Sequence, residues 1–518
     1  MTNDPLLQPF QLRHLRLRNR IFSTSHEPAY AENGMPTQRY RLYHEEKAKG
    51  GVALTMTAGS AVVSADSPPA FGNLHAFDDA IVPWIPEMTD GIHAHGAAAM
   101  IQLTHLGRRA GGWAQDDWLP VLAPSAIREQ AHRNIPKVAE DWDLERIVGD
   151  YADAAERMKV GGMDGIEIEA HGHLLDQWWS PLTNRRDDHH GGSLDNRMRF
   201  PLEVFRAIRA RVGAEFLISL RMGFDEQTPG GLERDEALRI VNMLYSDGLI
   251  DIVNVNRGLI ETDSKLVELI PIHGMAAAPH LSFAADLRAD MAAMTLDARH
   301  PLAVFHAAKI DDVATARHAI AEQMVDMIGM TRAQLADPHL VRKIIEGREA
   351  EIRPCVGATY CLDRIYESGE ALCIHNAATS REATMPHEIR QTDTVRRVVG
   401  GGCRPGWART RPSRRRERSR GDGARSHAET WRAGGVGGSQ SASSRPERHR
   451  RVAGQRTCAL GRRAAARDLR RHRHHRIATA RRGRRCHWRP TSVAHTRRRP
   501  RSSHHDLGCD VGRGRAQW

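Results

Sequence analysis

Three of the seven cysteines in this 518-residue chain, Cys355, Cys361 and Cys373, fall within nineteen positions at the spacing C-x5-C-x11-C. The chain opens Met-Thr-Asn-Asp with no apolar leader behind it. Clustered thiols in such a chain read as soft-metal ligands rather than as halves of disulfides. Iron–sulfur clusters are commonly held by four Cys thiolates. Here the place for a fourth, between Cys355 and Cys361, holds Ala358.

A second set of reactive side chains closes a series of short apolar runs. Gln102 and Arg221 end two of them, Ser23-Thr24-Ser25 ends the first, Ala58 the second, and Glu169-Ala-His171-Gly-His173 follows the fourth. Gln offers a bidentate amide, Arg a charge-assisted fork, and small residues let backbone N–H groups approach phosphate. Gathered on one face, they suit a large, planar, phosphorylated ligand.

The runs themselves lie at 21–25, 52–58, 98–103, 165–169, 216–221, 251–256, 302–306 and 325–329, with helical patterns between most of them, as at 144–159, 198–211, 234–246 and 312–321. Eight buried-type strands alternating with helices predict an α/β chain with an all-parallel sheet. Eight such units over some 330 residues suit a (β/α)8 TIM barrel, whose chemistry sits at the C-terminal strand ends. A doubly wound sheet is the alternative, but the Gly-rich turn it needs after its first strand is absent.

Charge divides the chain. The whole carries 75 basic and 63 acidic residues, a net +12, which taken alone suggests nucleic acid. Residues 403–518 hold 33 Arg, no Lys and 7 acidic residues, leaving 42 basic and 56 acidic groups before them. The body is therefore acidic. No run of about 18 apolar residues occurs, so no membrane span is expected and a cytoplasmic location is.

Several motifs resemble the old yellow enzyme (NADH:flavin oxidoreductase) family: Arg18-Asn-Arg-Ile21, Gln102-Leu-Thr-His-Leu-Gly-Arg108, the stretch Asn184 to Phe200, and Gly329-Met-Thr-Arg332. With the cysteine run, the chain is similar to the branch holding trimethylamine dehydrogenase and 2,4-dienoyl-CoA reductase. Thr24-Ser-His-Glu-Pro and Cys355-Val-Gly-x-x-Tyr-Cys361 most resemble the N-methylproline demethylases within it. The resemblance implies FMN at the barrel mouth, held by Ser23, Thr24, Ser25, Ala58, Gln102 and Arg221 at the ring and by Ala308, Lys309, Thr331 and Arg332 at the phosphate. Glu27 follows His26 where covalent relatives have a Cys, so the flavin is expected to be non-covalent. His171, Glu169 and His173 are the expected catalytic contacts, and Arg257 and His273 the expected substrate contacts. Cys355, Cys361 and Cys373 would hold a [4Fe–4S] cluster with its fourth donor from Asp363, His375, Tyr360 or solvent.

The implied reaction is oxidative demethylation of a small amine, with an electron acceptor as partner and a homo-oligomer as one possible assembly. The alternatives are an NAD(P)H-dependent ene reductase, a nucleic-acid-binding protein acting through its tail, and a damaged gene product with an intact barrel. The expected domains are 1–345 (FMN barrel), 346–385 (iron–sulfur segment), 386–402 (first strand of a truncated dinucleotide-binding βαβ unit) and 403–518. That last stretch has no Lys, Met, Phe or Tyr and a single Ile, too little to build a core. Read one base forward, suitable codons for 402–408 spell Gly-x-Gly-x-x-Gly, so the expectation is a disordered, out-of-frame tail, its FAD or NAD(P)H site lost.

Overall fold

The computed structural model describes residues 3–111, 120–295 and 300–389, so the expectations for the tail and for most of 386–402 lie outside the described residues. Eight parallel strands close a barrel in chain order: β1 (Ile21–Ser23), β2 (Leu54–Val62), β3 (Ala98–Thr104), β4 (Gly165–Glu169), β5 (Leu217–Gly223), β6 (Ile252–Asn256), β7 (Ala303–Ala307) and β8 (Met327–Gly329). Each is followed by a helix of the outer ring: α1 (Gln38–Lys49), α2 (Trp84–His93), α3 (Asp141–Val160), α4 (Arg199–Val212), α5 (Arg234–Ser246), α6 (Leu281–Met294), α7 (Val313–Ala321) and α8 (Leu340–Ile345). The seam closes through Ile328 beside Ile21 and Gly329 beside Phe22.

Strand period decides what the interior holds. Phe22, Leu54, Met56, Ala98, Met100, Leu217, Ile252, Phe305 and Met327 form one apolar cluster inside the barrel floor, covered by Leu12 and Leu17 of an N-terminal hairpin. Two residues further along each strand the same inward phase carries Thr24, Gln102, Ser219, Asn254 and Ala307. The interior thus turns from apolar floor to polar layer toward the C-terminal ends. The opposite phase, including Ile101, Ile166, Ile218, Val253 and Val304, packs outward under the helices.

The helices bury matching stripes. On α4 these are Phe200, Val204, Phe205, Ile208 and Val212, the i, i+4 spacing of one helical face. Each such side chain is worth roughly 1.5–3 kcal/mol when fully buried, so Val204→Asp would break the contact with α3. That helix begins at a reciprocal capping box between Glu140 and Asp143, which satisfies two N–H groups that its first turn leaves open.

β2 departs from regular alternation. Ala58 and Ser60 adopt φ of 57° and 78°, and the pairing with β3 shifts between Thr57 and Ala61. Beyond α8 the cysteine segment returns to the barrel. Tyr30 donates to the Ala371 carbonyl and Arg39 holds Glu370 through two parallel bonds. This sets helix α9 (Tyr360–Tyr366) over the C-terminal ends of the strands. Among the described residues no helix is long and apolar enough to cross a membrane.

Candidate active site

A cavity opens at the C-terminal strand ends, lined by residues from β1 to β8 and by α9. At its base stands a buried polar network. Gln102 Nε2 donates to Ser25 Oγ, Glu167 Oε1 and Glu169 Oε2 at 2.7, 2.8 and 2.8 Å, while its Oε1 accepts from Ser60 N–H at 2.9 Å. Glu167 is fully buried and receives the Ser25 hydroxyl at 2.6 Å, Asn254 Nδ2 at 2.8 Å and the Ser219 hydroxyl at 3.2 Å. Four donors around one carboxylate offset its desolvation. Glu169 has less: besides Gln102, the His171 N–H at 3.0 Å and Arg221 Nε at 3.4 Å. Burial lifts its carboxyl to about 8, against the pull of Arg221 and with a push from Glu167.

Two neutral histidines stand on the β4 exit. Burial holds His171 down to about 4. Its Nε2 lies 2.8 Å from the Gly258 carbonyl, and its Nδ1 lies 3.1 Å from the Asn256 side-chain amide, whose oxygen also accepts from Arg221 Nε at 3.0 Å. Thr104 gives its hydroxyl proton to the Glu169 carbonyl at 2.8 Å. His173 Nδ1, 3.0 Å from Thr104 Oγ1, must then donate to that hydroxyl oxygen. That leaves His173 Nε2 unprotonated, and burial with Arg109 nearby holds the ring well below its ordinary range.

Across the mouth, on β7 and β8, the cavity is cationic. Lys309 (φ 51°) donates to the carbonyls of Ile272, at 2.9 Å, and Met275; Arg332 Nη1 donates to that of Pro271 at 2.9 Å. Among the described residues neither has a carboxylate within 4.0 Å. Asp311 feels both charges but is itself held above the usual carboxylate range by burial. Uncompensated cations at one end and an amide with a guanidinium at the other fit a phosphorylated ring ligand such as FMN. Gln102, Arg221, Thr24 and Ser25 would meet its ring, and Lys309, Thr331, Arg332 and the Ala308 backbone its phosphate.

Four expected residues are not brought to the cavity wall. Ser23 has the outward phase and receives Lys47 Nζ at 3.1 Å. Ala58 lies within the irregular stretch of β2, where Gly59 and Ser60 take the wall instead. Arg257 is turned onto Asp225 at 3.0 Å and stacks on Phe283. His273 serves the cysteine loop, its N–H and Nδ1 meeting the carbonyls of Gly357 and Val356. Conversely, Glu167, Arg109, Phe71 and Tyr366 are site residues that spacing did not single out. Arg109 only adjoins a motif residue, and the two aromatics sit on long connections.

The cysteine segment shares this cavity, since Cys361 lines it. The thiols of Cys361 and Cys373 are raised by burial and by the neighbouring cysteines, Cys361 to about 11. Backbone N–H groups of His375 and Asn376 point at the Cys373 sulfur. Among the described residues, the group of three metal-type donors lying within 4.8 Å of one another is Asp141, His189 and His190, not the thiols. A single tetrahedral ion with bonds of ~2.3 Å would need sulfurs about 3.8 Å apart. Ala358 is exposed and offers no donor, and His375 Nδ1 is spent on the Pro354 carbonyl at 2.9 Å.

Residues 5–351 match the NADH:flavin oxidoreductase / NADH oxidase family. A "Probable N-methylproline demethylase" of Rhizobium meliloti (strain 1021) is 62% identical over 405 residues, covering 78% of this chain and 58% of the relative. A "Multifunctional alkene reductase/demethylase OYE" of Caballeronia cordobensis is 44% identical over 405 residues, covering 78% and 57%. The chain thus spans just under three fifths of the length of these relatives. Among solved structures, a 2-naphthoyl-CoA reductase complex superposes with a TM-score of 0.70 at 22% identity, over 77% of this chain and 61% of that one, a likeness of fold.

Proposed function

The chain belongs to the NADH:flavin oxidoreductase / NADH oxidase family, and on that premise we propose that its barrel is the catalytic body of an FMN-dependent oxidoreductase that demethylates a small N-methyl amine such as N-methylproline. The observation that carries this reading is the lining of one cavity: ring-edge donors Gln102 and Arg221, unpaired cations Lys309 and Arg332 across from them, and two neutral histidines beside the ring end. Bound there, FMN supplies a two-electron acceptor for the hydride of an N-methyl group, and water hydrolyses the resulting iminium to formaldehyde and a secondary amine.

The chain's own residues would prepare that step. His173 Nε2 is an unprotonated acceptor for a polar group of the substrate, and a ring kept neutral by burial beside Arg109 favours binding of the neutral amine, the form that gives up hydride readily. Its Nδ1–H, locked on Thr104, keeps the ring in that tautomer. Arg221 places a fixed positive charge at the ring end, where negative charge accumulates on reduction. Cys355, Cys361 and Cys373 would hold a [4Fe–4S] centre with one corner lacking thiolate, passing electrons singly to an acceptor.

One observation favours alkene reduction as a second reading. That chemistry needs a proton donor beside the flavin, and the Tyr366 hydroxyl reaches the cavity from α9. Anaerobic titration decides between them. Bleaching of the flavin by N-methylproline alone supports the demethylase; bleaching by NADH alone rejects it in favour of the reductase.

A further inference from the structure

The cavity has a third cationic position, away from those assigned to the flavin. Arg109 sits in the turn after β3, four strands around the eight-stranded ring from Lys309, which follows β7, and so on the opposite wall. It is 3% exposed. Nη1 holds Glu129 Oε1 at 2.8 Å and Nη2 donates to the Tyr366 hydroxyl at 3.2 Å. The second oxygen of Glu129 is engaged by the N–H and Nδ1 of His132, so this carboxylate serves two partners. Arg109 spends one of its two terminal nitrogens on a neutral hydroxyl, which an anion can displace. Tyr366 and Phe71 meet edge to face at 4.9 Å between ring centroids, forming an aromatic wall next to the guanidinium. At the exit of the adjacent strand, β4, stand His171 and His173, the second with Nε2 free to accept.

A cation after β3, an acceptor after β4 and an aromatic wall beside them match the groups of one small molecule. An α-amino acid carries its carboxylate one carbon from its nitrogen, and an N-methyl or pyrrolidine ring adds an apolar body. We propose that Arg109 is the specificity residue of a carboxylate subsite, the group that lets this site tell an N-methyl amino acid from a simple methylamine. This rests on the demethylase reading above and narrows it. With Nη1 kept on Glu129, Nη2 would turn from the Tyr366 hydroxyl to give the substrate carboxylate one charge-assisted hydrogen bond, stronger than a bond between neutral groups.

The test uses the FMN-loaded full chain and the probes pyrrole-2-carboxylate and pyrrole-2-carboxamide, which cannot be demethylated. Binding is read from the flavin absorption spectrum. The wild type should prefer the carboxylate by about tenfold or more, and Arg109→Gln should weaken the carboxylate by about thirtyfold while leaving the carboxamide unchanged. Arg109→Lys should fall between. Because Arg109→Gln leaves Glu129 buried without its partner, Arg109→Gln/Glu129→Gln is made alongside, and the same loss is expected of it. An unchanged carboxylate-to-carboxamide ratio in both variants overturns the proposal, as does a wild type with no preference. Carboxylate binding that depends on Arg109, with no bleaching by N-methylproline, sinks the demethylase reading and leaves the subsite standing. Equal rates of bleaching by N-methylproline and N-methylpyrrolidine would do the reverse.

Discussion

Arg221 Nε stands 3.4 Å from Glu169 Oε2, yet burial still lifts that carboxyl to about 8. In the flavin-free protein the folded chain then keeps a proton that the unfolded chain releases near 4.5. Between these values the folded state binds more protons, so this group's contribution to stability falls as pH rises, and levels off above about 8. Glu169→Gln cannot ionise. Its melting temperature, taken relative to wild type, should climb from pH 5 to pH 9. A difference that stays constant with pH means the carboxyl ionises at its ordinary value. His171 has the opposite sign: held down to about 4, it makes stability rise with pH between there and 6.5.

Gly59 is where the exits of β1 and β2 touch. A Cβ at this position would lie 1.9 Å from the Glu27 nitrogen and 2.3 Å from the His26 carbonyl carbon. Neither backbone atom can swing away as a side chain could. Gly59→Ala should cost about 1–3 kcal/mol or more, the usual range for overpacking, and push His26 and Glu27 into the cavity. Measured by flavin retention through gel filtration, the variant should emerge largely colourless. Full retention would show that the β1 exit can shift without consequence.

Much of this was legible because a strand repeats every two residues. Once Ala98 and Met100 face inward, Gln102 must, and the same phase delivers Arg221 and Asn254. Ser23 is the counterexample: its small hydroxyl suggested the ring, but it lies one residue out of phase. Ala58 was expected at the ring from the family resemblance, and the φ of 57° there breaks the alternation, so that Gly59 and Ser60 line the wall. Arg257 was read as a substrate contact because it follows β6, but nothing in one sequence reveals that Asp225 and Phe283 already hold it. Tyr366 could not have been found by spacing at all. It enters the cavity from a segment beyond the barrel, and that return path rests on Tyr30 and Arg39, more than 300 positions earlier.

The cysteine segment predicts its own iron content. Cys361 reaches the cavity wall, and the two backbone N–H groups on Cys373 favour its thiolate against the burial that raises it. Anaerobically prepared protein should hold about four irons per flavin, and Cys373→Ser should lose most of them without releasing FMN. Ala358→Cys, filling the empty corner from an exposed loop position, should slow loss of iron in air and lower the cluster potential, because thiolate is the more electron-rich donor. Fewer than about two irons per flavin in the wild type would remove the cluster from the account.

The cationic end of the cavity allows a sharper test of the flavin assignment than colour alone. Lys309 and Arg332 are held only by neutral backbone carbonyls, so their charges are available to a phosphate. Riboflavin has the same ring as FMN and lacks that phosphate. Lys309→Ala and Arg332→Ala should each weaken FMN binding by about tenfold or more, the scale of one hydrogen bond to a charged group, while riboflavin binding stays within error of wild type. Arg221→Ala should weaken both ligands together and lower the flavin's reduction potential, since a positive charge near the reduced ring is lost. Acid precipitation should release all the yellow colour, because Glu27 stands where a covalent link would need a thiol. Variants at Lys309 and Arg332 that still discriminate between FMN and riboflavin as strongly as wild type would place the phosphate elsewhere, and with it the orientation of the ring over Gln102.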